Sequence, residues 1–182
     1  RDRQRADLHG QVRGRRRRVN GGDEADSSYS EAVREVVARA LAEDLGPDGD
    51  LTAALVPESV TARYALRARQ RGVLAGRACA AETFARVGPE LALEWRAVDG
   101  DALSPGETLM EVTGPLRPIL TAERTALNFL GHLSGVATLT DKFVEVAHAR
   151  NRGVEILDTR KTTPGLRVLE KAAVRAGGGT NH

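Results

Sequence analysis

Two adjacent cations, Arg160 and Lys161, are the residues of this chain that are best suited to chemistry. They follow an apolar run that ends at Asp158, and hydroxyl and turn residues surround them: Thr159, Thr162, Thr163, Pro164 and Gly165. Arginine can bind a carboxylate or phosphate through two parallel N–H groups, whereas lysine acts as a compact charge. The pattern is typical of a site for a small dianion at the carboxyl end of a strand, although a solvated loop has the same composition.

Two further candidates follow from position along the chain. A glycine-rich segment, residues 177–179, leads to His182 one β-α unit later, so that in a parallel barrel His182 would lie beside the same mouth. Arg124 is expected in the first turn of a helix, where the macrodipole disfavours a cation. That position indicates either a partner outside the helix or a plain solvated surface. His132, on the seam of the same helix, is interpreted as a packed or hydrogen-bonded histidine.

The elements that must position these residues form two groups. Up to residue 135, a helix at 28–46, strands at 62–68, 91–97 and 108–112, and a short helix at 76–87 predict an α+β N-terminal domain with a mainly antiparallel sheet. Residues 121–148 show a helical pattern, with Thr121 as N-cap and Ser134-Gly135 as a candidate break. A strand at 154–158 and a helix at 166–175 predict that residues 136–182 start an α/β barrel domain, which is incomplete in this chain.

Residues 1–27 lack hydrophobic periodicity and contain Arg15 to Arg18, so we interpret them as a disordered basic extension. Eight arginines against five acidic residues give positions 1–29 a net charge of +3. Such an arm could attract nucleic acid or a membrane surface. Because no aromatic residue interleaves the arginines to stack on bases, we favour an extension without that role. A single cysteine, Cys79, excludes an internal disulfide and favours a reducing, cytoplasmic setting. No apolar run approaches the ~18 residues of a membrane span.

Four segments together resemble the quinolinate phosphoribosyltransferases, also called carboxylating nicotinate-nucleotide pyrophosphorylases. They occur in the family's order: Ala122 to Leu130, His132 to Thr138, Asp158 to Arg167, and Lys171 to His182. Shorter matches at Glu43 to Gly46, Gly49 to Thr52 and Gly72 to Gly76 extend the resemblance over roughly Ser30 to His182. Several motifs in the correct order are more specific than any one of them alone.

The resemblance implies a homodimer in which an α+β domain precedes an incomplete α/β barrel. The family joins quinolinate to the ribose of phosphoribosyl pyrophosphate in the presence of Mg2+, and it yields nicotinate mononucleotide, pyrophosphate and CO2 for NAD synthesis. By this resemblance Arg160 and His182 face the quinolinate carboxylates, and Thr159 belongs to the same binding run. Lys161 is the catalytic residue where the two substrates meet. Arg124 is offered by one subunit to the active site of its partner.

The family pattern continues past His182 with an arginine, a lysine, acidic residues that bind magnesium and the ribose, and a phosphate loop. The resemblance therefore implies that the magnesium ligands follow this chain and that these 182 residues alone are inactive. Two other functions stay open: a nicotinate phosphoribosyltransferase that does not decarboxylate, and a non-catalytic fragment that binds RNA through its arginine arm. We expect a cytoplasmic transferase that binds neither a membrane nor nucleic acid.

Overall fold

The first helix starts earlier than the sequence pattern predicts. The computed structural model describes residues 23–182, and helix α1 (Asp23–Leu45) begins the described part. The predicted start at Ser28 is therefore wrong by five residues, because a serine with capping-box spacing marks a helix start only where the preceding chain leaves the helical conformation. The part of the predicted basic extension at residues 1–22, with its four consecutive arginines, lies outside the described residues.

Three strands form an antiparallel sheet, with the last of them in chain order at its centre. Strand β1 (Thr61–Arg67) and strand β3 (Ala92–Trp95) each pair with the central strand β5 (Thr108–Pro115). Two shorter strands, β2 (Gly72–Val73) and β4 (Ala102–Leu103), pair with each other, again antiparallel. Helix α2 (Arg77–Val87) lies between β2 and β3 in sequence. The predicted α+β architecture with a mainly antiparallel sheet is confirmed.

One long helix, α3 (Leu116–Arg150), contributes buried side chains to two hydrophobic clusters. In the first cluster, its residues Ile119, Ala122, Ala126 and Leu130 pack with sheet residues such as Met110 and Val112. In the second, Phe129, Leu133 and Ala137 pack with α1 and with the last helix, α4 (Arg167–Ala176). Because both clusters contain residues of α3, this helix connects the sheet to the segment that follows residue 150.

Helix α3 runs without a break for 35 residues, so both predictions about its bounds are wrong. Ser134 does not interrupt the helix, because its hydroxyl donates to the Ala75 carbonyl at 3.2 Å and accepts from the Ala75 N–H at 3.0 Å instead of competing with its own backbone. Thr121 is not the N-cap, since the helix starts at Leu116. Arg124 consequently lies in the helix interior rather than in its first turn, and the macrodipole argument for its role fails.

Gly177 lies where the end of α4 meets α3. A Cβ atom at this position would overlap the Ala137 carbonyl oxygen and would lie 2.8 Å from the Cβ of Thr140. Gly135, on the exposed surface of α3, would have no atom within 4 Å of its Cβ. The first residue of the glycine run is therefore required for close packing of two helices.

We predict opposite effects for two glycine substitutions. Gly177→Ala should lower the free energy of unfolding by roughly 1–3 kcal/mol, because the new methyl group overpacks the α3–α4 contact. Gly135→Ala should raise it by about 0.5–1 kcal/mol, because alanine loses less backbone entropy in a helix. Urea denaturation of both variants measures the two changes, and equal changes in both would contradict the packing role of Gly177.

The outer face of the sheet carries a charge network centred on Glu111. The carboxylate accepts hydrogen bonds from Arg63 of β1 at 2.9 Å and from Arg96, the residue after β3, at 2.8 Å. The bond from Arg63, which has the larger effect, and the bond from Arg96 together lower the pKa of Glu111 from its ordinary value of 4.5 to about 2. A carboxylate with a lowered pKa in the folded state stabilises the fold above its ordinary pKa, and that contribution is lost as the pH falls through the folded value.

We therefore predict that the wild-type protein loses stability between pH 4.5 and about 2 in part through protonation of Glu111. Glu111→Gln cannot titrate, so its free energy of unfolding should depend less on pH in this window. Thermal unfolding of both proteins across the window tests this, and parallel pH profiles would refute it.

Candidate active site

Two loops carry four of the five predicted site residues. The cationic loop comprises residues 159–165, between Asp158 and helix α4, and the glycine loop comprises residues 177–182 after α4. In the cationic loop the Thr159 hydroxyl accepts the Lys161 backbone N–H at 3.1 Å, a local turn that fixes the backbone on both sides of Arg160. Arg160, Lys161 and His182 are all exposed, so their charged groups are available to a ligand.

The buried carboxylate of Asp158 joins the two loops. Its side chain is only 1% exposed, and it forms an ion pair with the Lys171 ammonium of α4 at 2.9 Å. It also accepts the backbone N–H of His182 at 3.1 Å. The Asn181 amide, in the orientation that satisfies its neighbours, donates to the same carboxylate at 2.9 Å. Burial raises the pKa of Asp158, but the bonds from Lys171 and His182 outweigh it and hold the pKa below its ordinary value.

A short parallel pairing brings the two loops side by side. The Thr180 N–H donates to the Ile156 carbonyl at 2.8 Å, and the Asp158 N–H donates to the Thr180 carbonyl at 3.0 Å. This is an isolated bridge between Leu157 and Thr180, so the predicted strand at 154–158 is wrong as an element. Within residues 23–182 no neighbouring strand continues the ladder beyond that bridge. The parallel direction is nevertheless the one that a β-α-β unit requires.

A second buried carboxylate, Glu170, ties the far end of the cationic loop to helix α3. It accepts the Thr163 backbone N–H at 3.1 Å, and one of its oxygens lies 2.8 Å from His132 Nε2. Burial raises the pKa of Glu170, but the hydrogen bonds from Thr163 and His132 lower it to a net value below the ordinary range. The interpretation of His132 as a hydrogen-bonded seam residue agrees with this contact.

Within the chain, the ion pair of Arg124 is with helix α1 and not with the cationic loop or the glycine loop. Its guanidinium forms an ion pair with Asp44 of α1 at 2.9 Å, and its side chain is 72% exposed. Asp44, His132 and Thr163 all line one open groove of about 610 Å³ between α1, α3 and the end of the cationic loop. The groove therefore reaches from the partner of Arg124 to the cationic loop.

Sequence reasoning missed the two carboxylates and Lys171. Lys171 did carry a signal, because it is one of only three lysines in a chain that otherwise uses arginine. Asp158 and Glu170 carried none, since an acidic residue in a polar loop or on a helix is usually solvated. Only their tertiary partners distinguish them.

The described residues do not fit a magnesium site. Between residues 23 and 182 there is no group of three or more His, Cys, Asp or Glu side chains that could hold a metal ion. In the acidic turn before residue 52, the Asp50 carboxylate instead accepts the backbone N–H groups of Thr52 and Ala53.

Among the helices of residues 23–182, none is both long and apolar enough to cross a membrane.

Comparisons with known proteins agree with this arrangement. The sequence model for the quinolinate phosphoribosyl transferase N-terminal domain matches residues 50–134, and that for the C-terminal domain matches residues 136–182. Quinolinate phosphoribosyltransferase (decarboxylating) 1b of Nicotiana tabacum is 42% identical over 151 residues, which are 82% of this chain and 42% of the relative. The chloroplastic nicotinate-nucleotide pyrophosphorylase (carboxylating) of Arabidopsis thaliana is 39% identical over 165 residues, 90% of this chain and 46% of the relative.

Solved structures share the fold. The nicotinate-nucleotide pyrophosphorylase of Francisella tularensis superposes with a TM-score of 0.80 and 37% identity, over 84% of this chain and 54% of that one. NadC of Streptococcus pyogenes superposes with a TM-score of 0.77 and 40% identity, over 82% of this chain and 53% of that one. The chain belongs to the quinolinate phosphoribosyltransferase family. It spans about half the length of the relatives that it matches.

We predict that Glu170→Ala lowers the free energy of unfolding by about 1–3 kcal/mol, because it leaves the Thr163 N–H without its acceptor. Glu145→Ala, at an exposed position of α3, is the matched control and should change it by less than ~0.5 kcal/mol. Chemical denaturation at pH 7 measures both. A loss as small as that of the control would show that Glu170 does not anchor the loop.

Proposed function

We propose that the protein transfers the phosphoribosyl group of phosphoribosyl pyrophosphate to quinolinate and releases pyrophosphate and CO2, with nicotinate mononucleotide as the product. The observation that carries the proposal is the joining of the cationic loop to the glycine loop by Asp158, which puts Arg160, Lys161 and His182 on neighbouring segments. Quinolinate bears two adjacent carboxylates and needs clustered cations and N–H donors. The family and its relatives' names support the same reaction.

In the proposed reaction the ring nitrogen of quinolinate bonds to C1 of the ribose as the C1–oxygen bond to pyrophosphate breaks. Arg160 and His182 hold the carboxylates, and Lys161 provides fixed positive charge where the substrates meet. Preorganised charge of this kind stabilises the developing charges without reorganisation during the step. The alkylated ring is a pyridinium, and its positive charge stabilises the electron pair that stays on the adjacent ring carbon when CO2 departs. A proton then replaces the carboxylate at that carbon.

We also propose that the working form is a homodimer to which Arg124 is contributed across the subunit interface. The exposure of Arg124 supports this, since its ion pair with Asp44 is a surface contact. Such pairs contribute only about 0–1 kcal/mol, so Arg124 can leave Asp44 for an anionic ligand at little cost. Sedimentation combined with subunit mixing of an Arg124→Ala variant and a Lys161→Ala variant tests it, because complementation requires a shared site.

Magnesium and location complete the proposal. Mg2+ accompanies phosphoribosyl pyrophosphate, and no step above depends on a protein ligand for it, since the described residues offer no fitting cluster.

We place the protein in the cytoplasm because its single cysteine cannot form an internal disulfide. Relatives in plants include proteins named as mitochondrial or chloroplastic, so cell fractionation is the direct test.

We predict that Arg160→Ala and Lys161→Ala each reduce quinolinate-dependent CO2 release by about 100-fold or more in the full-length protein, because each removes a fixed charge from the reacting site. Arg152→Ala, an exposed cation in the loop after α3, is the control and should retain wild-type activity. Release of labelled CO2 from quinolinate, with nicotinate as the comparison substrate, measures the effect. A wild-type protein that releases no CO2 would overturn the proposed function.

A further inference from the structure

We propose that Asp158 is a positioning residue that fixes the spacing between the cationic loop and the glycine loop, and thereby selects a ligand with two adjacent carboxylates. The inference rests on the proposed function for the chemistry of the ligand. It concerns a side chain whose carboxylate is occupied by donors of the protein itself, and it assigns to this side chain the discrimination between dicarboxylates and monocarboxylates.

The Asp158 carboxylate links three segments of the chain: the start of the cationic loop, helix α4 and the glycine loop. We call this set of contacts the joint. One oxygen of Asp158 accepts both the His182 backbone N–H and the Lys171 ammonium, each at 3.1 Å. The other oxygen lies 2.9 Å from the same ammonium and accepts the Asn181 amide. A carboxylate has about four acceptor positions, so these contacts use its hydrogen-bonding capacity. Asp158 also lies two residues before Arg160 in the chain.

Burial makes this joint stiff. The Asp158 side chain is almost wholly excluded from water, and Lys171 is mostly excluded as well. Charged hydrogen bonds in such surroundings are shorter and stronger than neutral ones and hold a defined direction. Because Lys171 belongs to α4, and α4 packs in the second hydrophobic cluster through Leu169 and Ala173, the joint is itself fixed to the core. The two loops therefore keep one relative position before any ligand arrives.

A fixed spacing affects one class of ligand more than another. The two carboxylates of quinolinate lie on neighbouring ring carbons, so both can bind only if the groups on the two loops are a set distance apart. Nicotinate has one carboxylate and can engage either loop alone. Loosening the joint should therefore weaken quinolinate binding and leave nicotinate binding nearly unchanged.

The test compares binding of the two ligands to variants of the full-length protein. Asp158→Asn keeps the shape and the acceptor for His182 but removes the charge that holds Lys171. Lys171→Met removes the other half of the pair. In each variant, calorimetry should show the Kd for quinolinate rising at least about tenfold while the Kd for nicotinate changes less than about threefold. Lys171→Arg keeps the charge and should retain more of the wild-type ratio than Lys171→Met.

A stability control separates positioning from general damage. Met110→Ala removes a fully buried side chain of the first cluster, which contains no residue of either loop or of α4, and should destabilise the protein without changing the ratio of the two Kd values. If Asp158→Asn does not fold, Lys171→Met with its arginine counterpart provides the same comparison.

The outcomes are distinguishable. A wild-type protein that binds quinolinate no better than nicotinate contradicts the proposed function. A wild-type preference for quinolinate that persists unchanged in Asp158→Asn and Lys171→Met leaves the proposed function intact and overturns the positioning role. Loss of the preference in Met110→Ala as well would also overturn it, because the effect would then follow stability alone.

Discussion

The burial of helix α3 between two hydrophobic clusters is the constraint on which the other features depend. The helix packs against the sheet through its first half and against α1 and α4 through residues from Phe129 to Ala137. Close approach to α4 is possible because Gly177 has no side chain where it meets Ala137. The position of α4 then determines the position of both loops, since one precedes it and the other follows it.

Hydrogen bonds to two buried carboxylates hold the cationic loop and the glycine loop against the packed helices. The two loops have almost no regular secondary structure, so their backbone donors need other acceptors. Glu170 accepts the Thr163 N–H of the cationic loop, and Asp158 accepts the His182 N–H of the glycine loop. No side-chain nitrogen or oxygen that is buried in the described residues lacks a partner. Both carboxylates are therefore part of a satisfied network, in which each bond adds direction to the position set by the core.

Local pattern was sufficient for the elements whose faces differ in burial. Alternation along residues 62–68 and 108–112 predicted β1 and β5, because one face of that sheet packs on α2 and α3. The helix at 76–87 and the helix at 166–175 were predicted to within about a residue for the same reason. The motifs around Arg160, Lys161 and His182 also predicted the family, because several spaced segments matched in order.

Features that depend on tertiary partners were not predictable in this way. Ser134 looked like a helix break, but its hydrogen bonds to Ala75 depend on a segment 59 residues away. The Asp158–Lys171 pair bridges 13 residues and leaves no periodic signal. Arg124 was given a role from a helix start that lies at Leu116 instead. For Ser134, a long-range contact competed with a local rule and was the stronger of the two.

Amide hydrogen exchange of the ligand-free, full-length protein tests most directly whether the two loops are held in place before substrate binds. The His182 N–H donates to Asp158, and the Thr163 N–H donates to Glu170. Both amides should exchange far more slowly than in an unstructured peptide, because exchange requires these bonds to open. Exchange at the unstructured rate for both amides, with slow exchange restricted to α3 and the sheet, would contradict a preformed site.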